Sequence, residues 1–229
     1  MKEYKAGCDV KSCLLCKLCL KEWLPAVAAN RKNFQFKKGE LLFKEGDEMT
    51  GIYFVYSGTV KVHKRWDKDK ELILRFAKKG DIVGHRGLGK DNFFPISATA
   101  LEPVTACFID IEFFLSSLKV NHNFLFELMM FYAAELKHSE RNMRNLAHMP
   151  VKGRIAQALL LLQEKFGVNS QGCIDITLSR QDLASFVGAT YETVFRTINE
   201  LVDEQLVTIM GKDIAITNRP ALENLLGEQ

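Results

Sequence analysis

The sequence predicts an α+β fold with an N-terminal antiparallel β-roll, one long helix and a C-terminal winged helix-turn-helix. Three observations predict it. Short β-branched and aromatic runs broken by glycine turns fill residues 34–110, a heptad of apolar positions runs from about residue 123, and two capped helices joined by a glycine turn follow near residue 180. With 229 residues, 47% hydrophobic and 26% charged, the chain has room for about two domains, each with its own core.

The N-terminal segment, residues 1–22, is set apart by "CDVKSCLLCKLC", which packs Cys8, Cys13, Cys16 and Cys19 into twelve residues of a chain with six cysteines in all. No apolar run with a small-residue cleavage site precedes it. The longest apolar stretches, such as "FLFELMMFYAA", are interrupted by Glu127 and fall short of the ~20 residues a membrane span needs. A cytoplasmic protein without membrane association is expected. There, clustered thiols mean metal or redox chemistry more often than disulfides. Thiolates suit zinc and iron–sulfur clusters alike, so the spacing does not name a metal. The alternative is a buried helical face shared by Leu14, Leu15, Cys16 and Leu18.

Residues 23–122 read as the β-roll. "GELLF", "GIYFVYSGTVKVHKR", "ELILRFAKKGDIVG" and "SATALEPVTACFIDI" are its clearest strands, and "KRWDKDKEL" reads as a charged hairpin tip. Residues 123–149 follow as a helix. Leu125, Met129, Tyr132, Leu136, Ser139, Met143 and Leu146 recur in steps of three and four, while "ELKHSERNMRNLAHM" is polar around that narrow seam. So narrow a stripe suits a two-stranded contact between subunits better than a core face, although packing on its own domain is plausible for the first half.

Residues 150–229 begin with Pro150 and the amphipathic "KGRIAQALLLLQEKFG", then "CIDITL" as a short strand. Ser179 is a fitting N-cap with Asp182 three residues on, and Thr190 caps a second helix with Thr193 in the matching place. Gly188 supplies the turn between them, and "VTIMGKDIAIT" reads as a hairpin wing. The whole chain carries a net charge of +3. Residues 151–229, however, hold seven Lys/Arg against ten Asp/Glu, a net of −3, so the charge alone points to no nucleic acid.

"SRQDLASFVGATYETVFR", together with "FKEGDEMTGIYFVYSGTVKV" and "KKGDIVG", resembles the Crp/Fnr family of bacterial transcription regulators over essentially the whole chain. The resemblance implies a cyclic-nucleotide-binding-like β-roll, a dimerisation helix and a winged helix-turn-helix, in a regulator and not an enzyme. It also implies a homodimer on a palindromic site in double-stranded DNA, with RNA polymerase as a further partner. The DNA-binding residues it implies are Ser179, Arg180, Gln181, Thr190, Tyr191, Glu192, Thr193, Phe195 and Arg196. Glu192 and Arg196 match the family's base-reading pair. At i and i+4 they share one face, Arg suiting guanine O6 and N7 and Glu suiting the cytosine amine. Phe195 departs from the family's usual Ser or Gly; it either touches a thymine methyl or packs.

The family's cyclic AMP binders carry a Gly-Glu turn and an Arg-Ser pair. Here the turn reads "VGHRG", with His85 in place of Glu, and the matching segment "FFPISATA" has no arginine, so no cyclic AMP is expected. The oxygen-sensing branch of the family holds a [4Fe–4S] cluster on three N-terminal cysteines and one from the β-roll. Cys107 matches the β-roll ligand, which makes Cys13, Cys16, Cys19 and Cys107 the implied set, with Cys8 as substitute. The branch's C-x₂-C-x₅-C spacing is not kept, because Glu22 stands where its third cysteine would fall. Zinc or thiol chemistry, haem or another small ligand near His85 or His63, and no cofactor at all are the alternatives, with a jelly-roll metalloenzyme beyond them.

Overall fold

The computed structural model describes residues 2–3, 13–67 and 70–227, so Cys8 lies outside the described residues. The chain divides into two compact units, Met1–Glu135 and Leu136–Gln229.

The first unit is built on two antiparallel sheets. One has the order β1 (Lys2–Glu3), β2 (Arg31–Phe36), β9 (Val104–Asp110), β4 (Gly51–Ser57) and β7 (Ile82–Val83). The other runs β3 (Leu41–Phe43), β8 (Ser97–Ala100), β5 (Val60–Arg65) and β6 (Glu71–Ala77). Strand β4 is buried on both faces, which is why "GIYFV" is continuously apolar and not alternating. Tyr53 meets Phe36, Phe43 and Phe108, whereas its neighbour Phe54, pointing the other way, meets Phe114 of α3 (Ile111–Val120). Gly51 opens β4 so close to β9 that a Cβ there would stand 2.3 Å from the Ile109 carbonyl oxygen. Between β5 and β6 the buried His63 lies 2.9 Å from Glu71; its hydrogen bond, followed by Lys61, holds the Glu71 carboxyl down at about 2 against the cost of burial.

Three helical pieces precede β2: α1 (Leu14–Leu18), where the sequence allowed a buried helical face, a 3₁₀ turn (Lys21–Trp23), and α2 (Leu24–Asn30), which occupies the start of the stretch read as β-roll. The long helix α4 runs from His122 to His148. Phe124 and Leu128 are buried in the first unit's core, and Phe124 meets Phe114 edge-on.

In the second unit, α5 (Val151–Phe166) stops at Gly167, whose φ of 80° ends the helix. Helices α6 (Arg180–Val187) and α7 (Tyr191–Asp203) pack on α5, followed by the hairpin β10 (Val207–Met210)–β11 (Asp213–Ile216) and the short α8 (Arg219–Asn224). "CIDITL", expected as a strand, is not one. Ile174 makes one backbone bond to Ile214, and then the Ile176 N–H turns back onto the Ile174 carbonyl, which breaks any ladder with β11. Among the described residues, no helix is long and apolar enough to cross a membrane.

Candidate functional site

Local chemistry sets the helix-turn-helix. The Ser179 hydroxyl accepts from the Asp182 N–H at 2.9 Å and the Thr190 hydroxyl from the Thr193 N–H at 3.3 Å, so each helix begins where a side chain satisfies an otherwise orphaned donor. Gly188 at φ 65°, ψ 47° makes the left-handed turn that a Cβ would disfavour. Val194, Thr197, Ile198 and Leu201 are buried, which fixes the rotation of α7. The opposite face therefore carries Tyr191, Glu192, Phe195 and Arg196 into solvent.

The Arg196 side chain is 75% exposed, and its Nε lies 3.8 Å from Glu200 Oε1, not against Glu192. Such an exposed pair is worth about 0.3–0.5 kcal/mol, so a base edge can displace it at little cost. Tyr191 and Phe195, 43% and 50% exposed, stack with centroids 6.2 Å apart and planes 12° apart. Ser179, Gln181 and Thr190 are exposed, and Thr193 is half-buried. Arg180 is also half-buried. Burial pushes its guanidinium downward, Tyr191 and Asp213 counteract that, and its Nη1 donates to the Lys212 carbonyl at 3.4 Å. It ties α6 to the wing, a contact that "SRQDL" alone could not reveal because Lys212 lies thirty-two residues on.

On α4, Leu125 and Met129 are exposed, Tyr132 is half-buried, and its hydroxyl donates to the His85 carbonyl. In the second unit Leu136, Met143 and Leu146 are exposed and Ser139 is half-buried.

Cys13, Cys16, Cys19 and Cys107 are all buried in the first unit's core. Cys107 is paired across the sheet with Phe54, so it shares the face that Phe54 presents to α3. Just after the N-terminal cysteines, Leu20 and Trp23 tie the chain to the end of the same helix. The Asn121 side-chain Oδ1 accepts from the Leu20 N–H at 2.7 Å, and its Nδ2 donates to the Ser117 carbonyl at 2.8 Å. The Trp23 indole N–H donates to the Ser117 hydroxyl at 3.0 Å and its ring stacks on Phe113. Asn121 stands immediately before α4 and its own carbonyl accepts from the Leu125 N–H at 3.0 Å, so the residue after Cys19 is pinned to the origin of the long helix. Sequence reading missed this contact across 101 residues; "VNHN" could only have suggested a cap. Replacing buried Asn121 with alanine orphans the Leu20 N–H and should cost about 1–3 kcal/mol. A thermal melt lowered by several degrees is expected, and an unchanged melt would mean that water replaces the contact.

By donor type and burial the four thiols suit a thiolate-bound metal. Among the described residues, though, no group of three or more His, Cys, Asp or Glu side chains stands so that it could hold one. Burial, then the neighbouring Cys13, pushes the Cys19 thiol up to about 11. Cys173 is buried in the second unit beside Met210.

Beside the "VGHRG" turn, Arg86 pairs with Glu135 at 2.9 Å and Arg75 lies 4.0 Å from the same carboxylate. His85 is buried and pushed down to about 3, by burial first and then by Arg75 and Arg86, so its ring is neutral.

Residues 33–121 match the cyclic nucleotide-binding domain and residues 153–225 the Crp-like helix-turn-helix domain. The fumarate and nitrate reduction regulatory protein of Escherichia coli K12 is 28% identical, over 96% of this chain and 92% of its own. The CRP-like cAMP-activated global transcriptional regulator of Mycobacterium tuberculosis is 27% identical, over 86% of this chain and 90% of its own. The structure of FixK2 from Bradyrhizobium japonicum superimposes with a TM-score of 0.78 at 24% identity, covering 87% of this chain and 98% of that one. A CooA variant from Carboxydothermus hydrogenoformans has the same fold, with a TM-score of 0.78 at 18% identity, covering 99% and 98%. A capped helix-turn-helix with an exposed polar and aromatic face, on a chain that also carries a cyclic-nucleotide-type β-roll, defines a DNA-binding transcription regulator. The chain belongs to the Crp/Fnr family.

Proposed function

We propose that the protein acts as a homodimer that reads a palindromic promoter site through α7, and that thiol-held iron–sulfur chemistry gates this binding. The observation that carries the DNA reading is the exposed face of α7, with Glu192 and Arg196 one turn apart on a helix locked by Thr190 and by its buried Val194 and Ile198. The unpartnered apolar seam of Leu125, Met129, Leu136, Met143 and Leu146 supports dimerisation along α4. RNA polymerase is the further partner that family membership suggests, and the cytoplasm the compartment.

Gating is supported by the burial of Cys13, Cys16, Cys19 and Cys107 in one core and by the Leu20–Asn121 bond that joins their segment to the start of α4. Cys13, Cys16, Cys19 and Cys107 would be the residues to hold a cluster, which would supply oxygen-labile chemistry. The chain's own part is mechanical. Trp23 and Leu20 hold Ser117 and Asn121, and Asn121 sets the entry into α4, so displacing residues 13–23 alters the helix on which the seam lies. About 5.5 kcal/mol of differential stability would suffice to move a two-state balance from 1:99 to 99:1. Cyclic AMP is not the proposed signal, because Glu135 already accepts from Arg86, lies close to Arg75, and His85 is neutral.

Protein prepared without oxygen and reconstituted with iron and sulfide should be brown, with about four irons per chain. It should bleach in air with a change in DNA affinity. Cys107→Ser should remove the colour and Cys173→Ser should keep it. A colourless protein holding one zinc per chain, or DNA binding indifferent to the loss of Cys13, Cys16 and Cys19, would remove the gating and leave the regulator.

A further inference from the structure

We infer that the stacked pair Tyr191–Phe195 reads the 5-methyl group of a thymine in each half-site. The inference rests on α7 being the base-reading helix and goes beyond the Glu192–Arg196 pair.

Two aromatic side chains half in water need a reason, and the core does not supply one, since Val194, Thr197, Ile198 and Leu201 already fill the buried face of α7. The two rings lie one turn apart, nearly parallel, on the face that also carries Glu192 and Arg196. The pair is therefore a pre-set apolar surface and little ordering is needed when it meets DNA.

The chemistry of the major groove then selects the partner. Guanine, cytosine and adenine edges offer hydrogen-bond donors and acceptors, and the C5-methyl of thymine is the one apolar group a base pair presents there. Phe195 has no polar atom, so it can discriminate between bases only through that methyl. A phosphate gains nothing from a phenyl ring, while Arg196 beside it can take a guanine. The pair thus adds an apolar reading to the polar reading by its two charged neighbours.

The experiment starts from a site selected by the full-length protein and replaces its thymines with deoxyuridine one at a time, which removes a methyl and no hydrogen bond. One thymine per half-site should respond. Its replacement should weaken binding about fourfold in one half-site and about fifteenfold in both, the value of burying one methyl-sized group. Phe195→Ala should bind the thymine and uracil sites equally, and Tyr191→Phe, which keeps the stack, should retain the preference. Indifference to uracil at every position, or a preference that survives in Phe195→Ala, would overturn the inference while Arg196-dependent specificity kept the regulator. Loss of all sequence preference in the parent protein would overturn both.

Discussion

Arg196→Ala should bind its specific site about 1–3 kcal/mol more weakly per half-site and lose its preference at one G·C pair, while keeping its melting temperature. The physical reason is the exposure of the side chain. Its nearest partner in the free protein is Glu200 at 3.8 Å, an i,i+4 surface pair whose loss scarcely touches stability. Nothing apolar is uncovered either, because the buried side of α7 is made by Val194, Ile198 and Leu201. Stability and specificity therefore separate at this position. Binding isotherms against the selected site, against a variant with the G·C pair changed, and against random DNA measure the effect. An unchanged ratio between specific and random DNA would mean that another residue does the reading.

Met143→Asp should convert dimer to monomer. Met143 is 61% exposed in the single chain and lies one heptad from Leu136, also exposed, on a helix turn whose other positions are polar. Across a two-fold seam the substitution sets two carboxylates against each other inside an apolar contact. Desolvation and repulsion together should cost about 3 kcal/mol or more, over a hundredfold in the dissociation constant. Sedimentation at micromolar concentration should show monomer, and DNA binding should weaken because two half-sites no longer bind as a unit. The fold of each unit should survive, since Met143 is absent from either core. A variant as dimeric as its parent would place the interface elsewhere, and Tyr132, whose hydroxyl bonds within its own β-roll, already shows that not every heptad position is free to face a partner.

What could be read from the sequence follows the range of the forces involved. Ser179, Thr190 and Gly188 act within four residues of themselves, so the helix-turn-helix was legible, as was the glycine-punctuated β-roll. "CIDITL" was not, because whether it forms a strand depends on a wing some forty residues later, with which it shares a single backbone bond before turning away. The Leu20–Asn121–Ser117–Trp23 network was illegible for the same reason, whereas the leucines of α1 had already allowed a buried helical face. Arg180 carries the right chemistry for DNA, and its tie to the Lys212 carbonyl, thirty-two residues on, was beyond the reach of its local sequence. In the cysteine segment the residue types suggest a metal set, and the fold buries Cys13, Cys16 and Cys19 in the same core as Cys107, while among the described residues no three such side chains stand where they could hold one metal.

The central claim, that α7 of a paired protein reads a specific sequence, is tested most directly by selecting binding sites from random duplex DNA with the full chain. The expected product is an imperfect palindrome whose half-site centres lie about 34 Å apart, one helical turn, with a G·C pair that loses its enrichment when Arg196→Ala is used in the selection. A pool that enriches no motif, or a single unpaired motif indifferent to Arg196, would contradict it.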